Sequence, residues 1–439
     1  MIKPLLDLSQ KILQKNSLKE ILVNSGWMFL DTALKYLGAF FIGVWVARYF
    51  GPADFGLYSY AAAFTLLFSA FAGLGLKSIV VREIVRRPDN KDEILGSSFL
   101  MMLGAGVIVW AISAGVILLV RPEDTIVQII VLIIGASYLF KSVNVIQYYF
   151  ESQVKSKFVV IAKNISFAIS SILKVLMITN DLGLRAFAFI SLIDSILICL
   201  CLAMIGWKKG LELLRWRWNT QVAKSLLKDS APLIFAGLFA TIFLKIDQVM
   251  IGNTLDDSEV GYYAISVKLT ELWYVFPTII QVSVFPNLMK NKVAPKVLLD
   301  KMYRLFSVLA IFSILIAIPI SIFSGTIIKL LYGPEFIEAA TMLSISIWAL
   351  IFVCFGVARL PYLIATGNAK MSMYFGLIGA SINVLLNFIL IPKYGGNGAA
   401  VATLLSYGSS AYLANFLFPK CREIGRLMTK SIYSPIYRI

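Results

Sequence analysis

The sequence predicts an all-α integral membrane protein of about twelve transmembrane helices in two six-helix lobes. Three observations carry that reading: a series of long apolar stretches, an alternation of basic and non-basic connections between them, and a weak repeat relating the two halves. A helix crosses the hydrocarbon core with roughly 20 mostly apolar residues. Such stretches fall at residues 26–49, 57–76, 96–120, 126–150, 158–178, 186–205, 232–251, 260–285, 305–323, 340–363, 373–391 and 399–418. With 59% hydrophobic and only 15% charged residues over 439 positions, the soluble classes are excluded.

The first 25 residues hold Lys3, Pro4, Asp7 and further charges and lack the apolar core of a signal peptide, so the first span is expected to serve as the insertion signal. From there the connections alternate. The chain ends and the connections after even-numbered spans hold 28 of the 40 lysines and arginines. Those after odd-numbered spans hold only Arg48, Arg121, Arg185, Lys329 and Lys393. Short loops rich in Lys and Arg remain on the cytoplasmic side. Both termini are therefore expected in the cytoplasm of a multi-pass protein of the cell (inner, cytoplasmic) membrane, with an even number of crossings. The net charge of +16 lies beside spans, where it suits anionic lipid headgroups, and no nucleic acid partner is expected.

The longest connection outside the membrane, residues 206–230, is too short for a catalytic domain. Its Trp207, Leu211, Leu214, Trp216 and Trp218 read as an interfacial helix. It would link an N-terminal lobe, residues 1–205, to a C-terminal lobe with its cytoplasmic tail, residues 231–439. The two halves echo each other: Asp54-Phe55-Gly56-Leu57-Tyr58 with Glu259-Val260-Gly261-Tyr262-Tyr263, Pro122-Glu123 with Pro334-Glu335, and Gly183-Leu184-Arg185-Ala186 with Gly396-Asn397-Gly398-Ala399. Three matches in order, at nearly constant offset, favour duplication. Because six is even, the repeats are parallel about an axis near the membrane normal.

The absences narrow the chemistry. The chain has no His, its Cys199, Cys201 and Cys354 lie inside apolar spans and Cys421 in the tail, and no Gly-Lys dipeptide exists to build a phosphate-cradling ATPase loop. No metal site, cofactor or enzyme activity is expected. Any drive other than downhill consumption of the product must be an H⁺ or Na⁺ gradient.

Charge inside the membrane is costly and normally faces protein or a hydrated cavity. The spans contain Lys35, Lys141, Lys163, Lys174, Lys245, Lys268 and Arg359 against Asp31, Asp194, Asp247 and Glu271, an excess of basic groups. Asp31 and Lys35, four apart, share a helix face and read either as a structural ion pair or as lumen residues. Lys163, Ser166, Ser170 and Lys174 form one polar stripe; Gly237, Thr241, Lys245, Gln248 and Gly252 form another, and Ser137, Lys141, Asn144 and Tyr148 a third. Lys268 and Glu271, three apart, can pair. Lys141, Lys174 and Arg359 lie near enough to span ends for snorkelling to be the competing reading. Polar stripes on several helices imply a hydrated pathway whose surplus positive charge suits an anionic group such as phosphate.

Five segments carry a family resemblance: Val46-Ala47-Arg48-Tyr49-Phe50-Gly51-Pro52-Ala53-Asp54-Phe55-Gly56; Leu74-Gly75-Leu76 followed by Val80-Val81-Arg82-Glu83; Lys245-Ile246-Asp247-Gln248-Val249-Met250-Ile251-Gly252; Tyr332-Gly333-Pro334-Glu335-Phe336; and Ile391-Pro392-Lys393-Tyr394-Gly395-Gly396-Asn397-Gly398-Ala399-Ala400. Together they resemble the polysaccharide-biosynthesis flippases, the Wzx-type O-antigen and exopolysaccharide transporters. The resemblance implies the fold of the multidrug/oligosaccharidyl-lipid/polysaccharide exporters, a MATE-like V of two lobes around a central cavity. It also implies an undecaprenyl-diphosphate-linked oligosaccharide as substrate, a dolichyl-type carrier if the chain is archaeal, and polysaccharide polymerase machinery as a downstream partner. The first, second, seventh and eighth helices would line the cavity. That makes Lys35, Arg48, Lys245 and Lys268 the expected substrate-binding cations and Asp31, Asp247 and Glu271 the expected coupling or pairing acids. Lys141, Lys163, Lys174 and Arg359 stand as secondary candidates.

Within the fold the rivals are a lipid II flippase and a multidrug antiporter, for whose cationic cargo an acidic cavity is better suited. From another class, a membrane-embedded glycosyltransferase or polymerase should carry catalytic acids on a sizeable outer loop. A non-transporting scaffold has no need of unpaired charge in its interior.

Overall fold

The computed structural model describes residues 38–281 and 295–433, and among these there is no strand. Asp31 and Lys35 lie outside the described residues. Among the described residues, eight helices are long and apolar enough to cross a membrane, and a ninth candidate is the pair Gly38–Leu67 and Ser69–Arg86, bent by 48°. Two of these runs contain a reversal at glycine. Gly51 has φ +71, and Gly395 has φ +60 with ψ −143. Glycine occupies that region without the steric penalty other residues incur. After Gly395 the chain folds back so closely that a side chain at Gly398 would meet the Leu390 carbonyl.

Divided at those glycines, the nine runs give eleven segments, and residues 257–281, which are not among the nine, supply a twelfth helix. They are α1 (residues 38–50), α2 (residues 52–86), α3 (Lys91–Val120), α4 (Thr125–Phe140, continued by Asn144–Ser152), α5 (Lys157–Thr179) and α6 (Leu184–Lys208). The second lobe comprises α7 (Thr220–Thr254), α8 (Asp257–Glu271, continuing to residue 281), α9 (Pro295–Ile322), α10 (Ala339–Ser346 and Ala349–Ala365), α11 (residues 371–394) and α12 (residues 396–417). A terminal helix, α13 (Arg422–Tyr433), buries Ile424 and Met428 and exposes Arg422 and Arg426. The repeat echoes fall at equivalent turns: α6 begins after Gly183 and α12 after the break at Gly395. Apolar side chains on the outer surface, such as Phe388 and Ile322, remain exposed, as lipid contact requires.

The stretch expected to form an interfacial helix contains a single 3₁₀ turn, Leu213–Arg215, and α7 starts already at Thr220. Leu211 is buried and Trp216 packs against Phe99 at 5.5 Å. The Arg217 amide donates to the Asp92 carbonyl and Asn219 donates to Glu93 at 2.8 Å. The α3 surface thus takes up Trp216 of the expected apolar face, while Trp207, Leu214 and Trp218 stay exposed.

At the end of the molecule poor in Lys and Arg, one apolar cluster joins the lobes. It runs from Tyr60, Phe64, Ile117 and Val127 to Val249, Val260, Tyr263 and Ala399. A second joins Phe40, Val44 and Ala47 of α1 to Ile265 and Leu269 of α8. Both lie beside a cavity between the lobes.

Candidate functional site

A cavity of about 400 Å³ lies between the lobes, lined by α1, α2, α5, α6, α7 and α8. Its charged residues are Lys174 from α5, Lys245 from α7, and Lys268 and Glu271 from α8; Tyr58, Ser59, Ser171 and Gln248 add uncharged polar groups. Lys245 Nζ lies 3.8 Å from a Glu271 carboxylate oxygen. Lys268 is within electrostatic reach of Lys174, Lys245 and Glu271. Its ammonium occupies the space beside Gly43, where any larger residue would displace it. Three cations and one acid leave a surplus of two positive charges, which suits an anionic ligand. The lysines come from both lobes, so an anion among them would bridge the lobes.

The sequence-derived candidates divide sharply. Lys245, Lys268 and Glu271 line the cavity, and Lys174, a secondary candidate, joins them. Arg48, expected in the lumen, sits two residues beyond cavity-lining Val46, exposed in the last helical turn of α1. It donates from Nη2 to the Leu330 carbonyl at 2.5 Å. Lys141 lies over the Tyr138 ring at 4.2 Å and Lys163 is exposed on α5; neither lines the cavity. Arg359 is buried in the second lobe. It donates to the carbonyls of Ser410 and Ala411 (both 3.2 Å) and to Asn415 Oδ1 (2.9 Å), and stacks 3.7 Å from the Phe375 ring centroid. In the α5 stripe, Ser166 donates to Asp194 at 2.7 Å, so the stripe's centre faces α6 and only Lys174 reaches the lumen.

Asp247 faces away from the cavity. Two residues along a helix turn the side chain by roughly 200°, so Lys245 meets the lumen while Asp247, 3% exposed, enters the second lobe. There it accepts from the Tyr263 hydroxyl and from Thr403 Oγ1 at 3.0 Å, and its Oδ1 has no hydrogen-bond partner. Asn383 donates to Thr403 at 3.3 Å and Asn387 to Asn383 at 3.1 Å, with Asn387 Oδ1 also unpartnered. Sequence reasoning missed this chamber. Its signal was the pair Asn383 and Asn387, four apart in an otherwise apolar span. Glu271 lines both this chamber and the cavity.

The Lys- and Arg-poor end of the cavity is shut. A side chain at Gly56 would meet the Asp257 carbonyl and one at Gly261 the Pro52 carbonyl, so α2 and α8 cross backbone to backbone. Beside that crossing, Arg121 Nη1 donates to Asp257 Oδ1 at 2.9 Å and to Asp124 Oδ2 at 3.2 Å, and Nη2 donates to the Gly252 carbonyl. The guanidinium carbon lies 3.9 Å from the centroid of Tyr60, whose hydroxyl donates to Asn253 at 2.6 Å.

A family model described as polysaccharide biosynthesis protein matches residues 45–341. The chain is similar to the Staphylococcus aureus capsular polysaccharide biosynthesis protein CapF, with 23% identity over 389 residues covering 87% of this chain and 95% of that one. Two solved structures share the fold, each with a TM-score of 0.73. One is an inward-facing multidrug resistance MATE family transporter of the MOP superfamily, 16% identical and matched over 90% of this chain and 96% of its own. The other is the lipid II flippase MurJ in an inward closed conformation, 17% identical and matched over 92% and 90%.

Proposed function

Because the chain belongs to the polysaccharide biosynthesis protein family, we propose that it is a flippase. It would turn a polyprenyl-diphosphate-linked oligosaccharide, carried on undecaprenyl in bacteria, from the cytoplasmic to the outer leaflet for capsule, O-antigen or exopolysaccharide synthesis. One observation carries the reading: the cavity between the lobes presents Lys174, Lys245 and Lys268 against a single acid, Glu271. A diphosphate is the part of such a substrate that needs charge-assisted partners away from water. The same surplus disfavours the cationic cargo of a multidrug antiporter.

In this reading the Lys- and Arg-rich connections face the cytoplasm, so the closed Gly56–Gly261 crossing lies on the outer side and the described state opens inward. The segment 206–230 joins two lobes that rock about the cavity. Ion coupling falls to Asp247, whose unpartnered oxygen lies apart from the cavity lysines.

The deciding experiment reconstitutes the purified protein in vesicles and follows leaflet exchange of a labelled undecaprenyl-diphosphate oligosaccharide. Accelerated exchange is expected, together with little movement of a cationic amphiphile. Movement of the cationic amphiphile without the lipid-linked sugar would overturn the assignment.

A further inference from the structure

We propose that Arg121 is a cross-lobe latch that holds the outer side of the cavity shut. Arg121 caps the C-terminal end of α3 and is only 13% exposed. Its side chain leaves its own lobe and fills the junction between α7 and α8 of the other. The Gly252 carbonyl it meets belongs to the last turn of α7, where helix carbonyls lack partners within the helix and a cation is favoured. Asp257, which it also meets, opens α8. Both contacts vanish if the lobes separate at this end. Asp124 and the Tyr60 ring belong to the arginine's own lobe and would travel with it. The guanidinium therefore keeps one anion and one aromatic face when the junction opens, which makes release reversible instead of stranding a buried charge.

A second arginine follows the same pattern more weakly. Arg48, from the end of α1, donates to the Leu330 carbonyl in the last turn of the helix Ser324–Tyr332. This contact is solvent-exposed, and exposed polar contacts contribute little. Of the two arginine contacts, the buried one at Arg121 therefore carries the polar part of closure. The latch requires the alternating-access reading given above but not the identity of the carried lipid.

The test places a reporter thiol in the cavity with Ser59→Cys and adds a membrane-impermeant maleimide to the outer face of right-side-out vesicles. Labelling is quantified at residue 59 by peptide mass. Arg121→Ala should label at least about tenfold faster than the parent, the factor that about 1.4 kcal/mol makes in an equilibrium. Asp257→Asn, which leaves Arg121 in place, should fall between, and Arg48→Ala should show a smaller rise. Should Arg121→Ala fail to reach the membrane, Asp257→Asn decides alone. If the parent labels during turnover and neither Arg121→Ala nor Asp257→Asn labels faster, the latch is refuted and alternating access stands. If no variant labels even during turnover, alternating access fails and the latch with it.

Discussion

The three cavity lysines differ in how much of their charge is already committed, and that difference predicts an order of mutational effects. Lys245 and Glu271 are 3.8 Å apart, a separation worth about 4 kcal/mol of Coulomb attraction at an effective dielectric of 20. Glu271 is 37% exposed, so water screens the pair and its net worth falls to about 1 kcal/mol or less. An arriving diphosphate competes with Glu271 for Lys245, whereas Lys268, within reach of the same Glu271, also faces Lys174 and Lys245 and gains more from an anion. Removing a hydrogen bond to a charged group costs about 1.5–3 kcal/mol. Lys268→Gln should therefore raise the apparent KM for lipid-linked oligosaccharide by roughly 10–150-fold, and Lys245→Gln by less. Glu271→Gln should lower it by up to about fivefold. The assay is the initial rate of flipping in vesicles against substrate concentration, with membrane level and melting temperature as folding controls. Folded Lys268→Gln and Lys174→Gln proteins with unchanged KM, or a raised KM in Glu271→Gln, would refute a cationic diphosphate site.

Three other outcomes follow from the same geometry. Asp247→Asn should weaken any dependence of flipping on an H⁺ or Na⁺ gradient more than Asp194→Asn does, because Asp247 Oδ1 is unpartnered while Asp194 accepts from Ser166; gradient-independent flipping by the unmodified protein would leave Asp247 a structural role. Gly56→Ala should pry α2 from α8 at the Asp257 carbonyl, costing the closed state about 1–3 kcal/mol. It should be read as faster outside labelling of Ser59→Cys, and unchanged labelling would count against the seam. Arg359→Ala removes the donor to two carbonyls and Asn415, so a lowered melting temperature and a loss of about 2–3 kcal/mol are expected; a melting temperature equal to the parent's would show the buried guanidinium to be dispensable.

How far the site was legible follows from what periodicity can and cannot convey. Spacing assigns a residue to a face of its own helix but does not say which neighbour that face meets. Lys245 and Asp247 were separable because two residues turn a helix far round, and they do occupy different chambers. The α5 stripe was misleading for the same reason: Ser166 and Ser170 face inward to their own lobe, and only Lys174, at the stripe's end, extends past that packing into the cavity. Arg48 was placed on a lumen helix but lies beyond the lumen, since a helix lines a cavity along only part of its length. The linker's tryptophans matched a membrane-surface pattern, yet Trp216 found an aromatic partner in Phe99. Sequence composition does not distinguish a bilayer surface from the apolar flank of a neighbouring helix.

The repeat expected from the sequence bears on how the closed seam is built. Gly56 and Gly261 are equivalent positions in the two halves, and so are Pro52 and Asp257 at the same offset of 205. Their contacts are reciprocal, each glycine lying against the carbonyl of the residue four positions before the other glycine. Two equivalent points that touch must lie on or beside the axis relating them, as in a self-complementary dimer interface. Small residues are needed there, and both halves carry Gly. The polar contacts flanking the crossing do not obey that symmetry. Both latching arginines, Arg48 and Arg121, come from the first lobe, and the carbonyls they cap, Leu330 and Gly252, belong to the second. The equivalent of Arg48 in the second lobe is Asn253, an acceptor for the Tyr60 hydroxyl. A symmetric backbone crossing permits the lobes to pivot, and an asymmetric set of donors and acceptors at its edge gives the closed state an energy that mutation at Arg121 can change without touching the pivot.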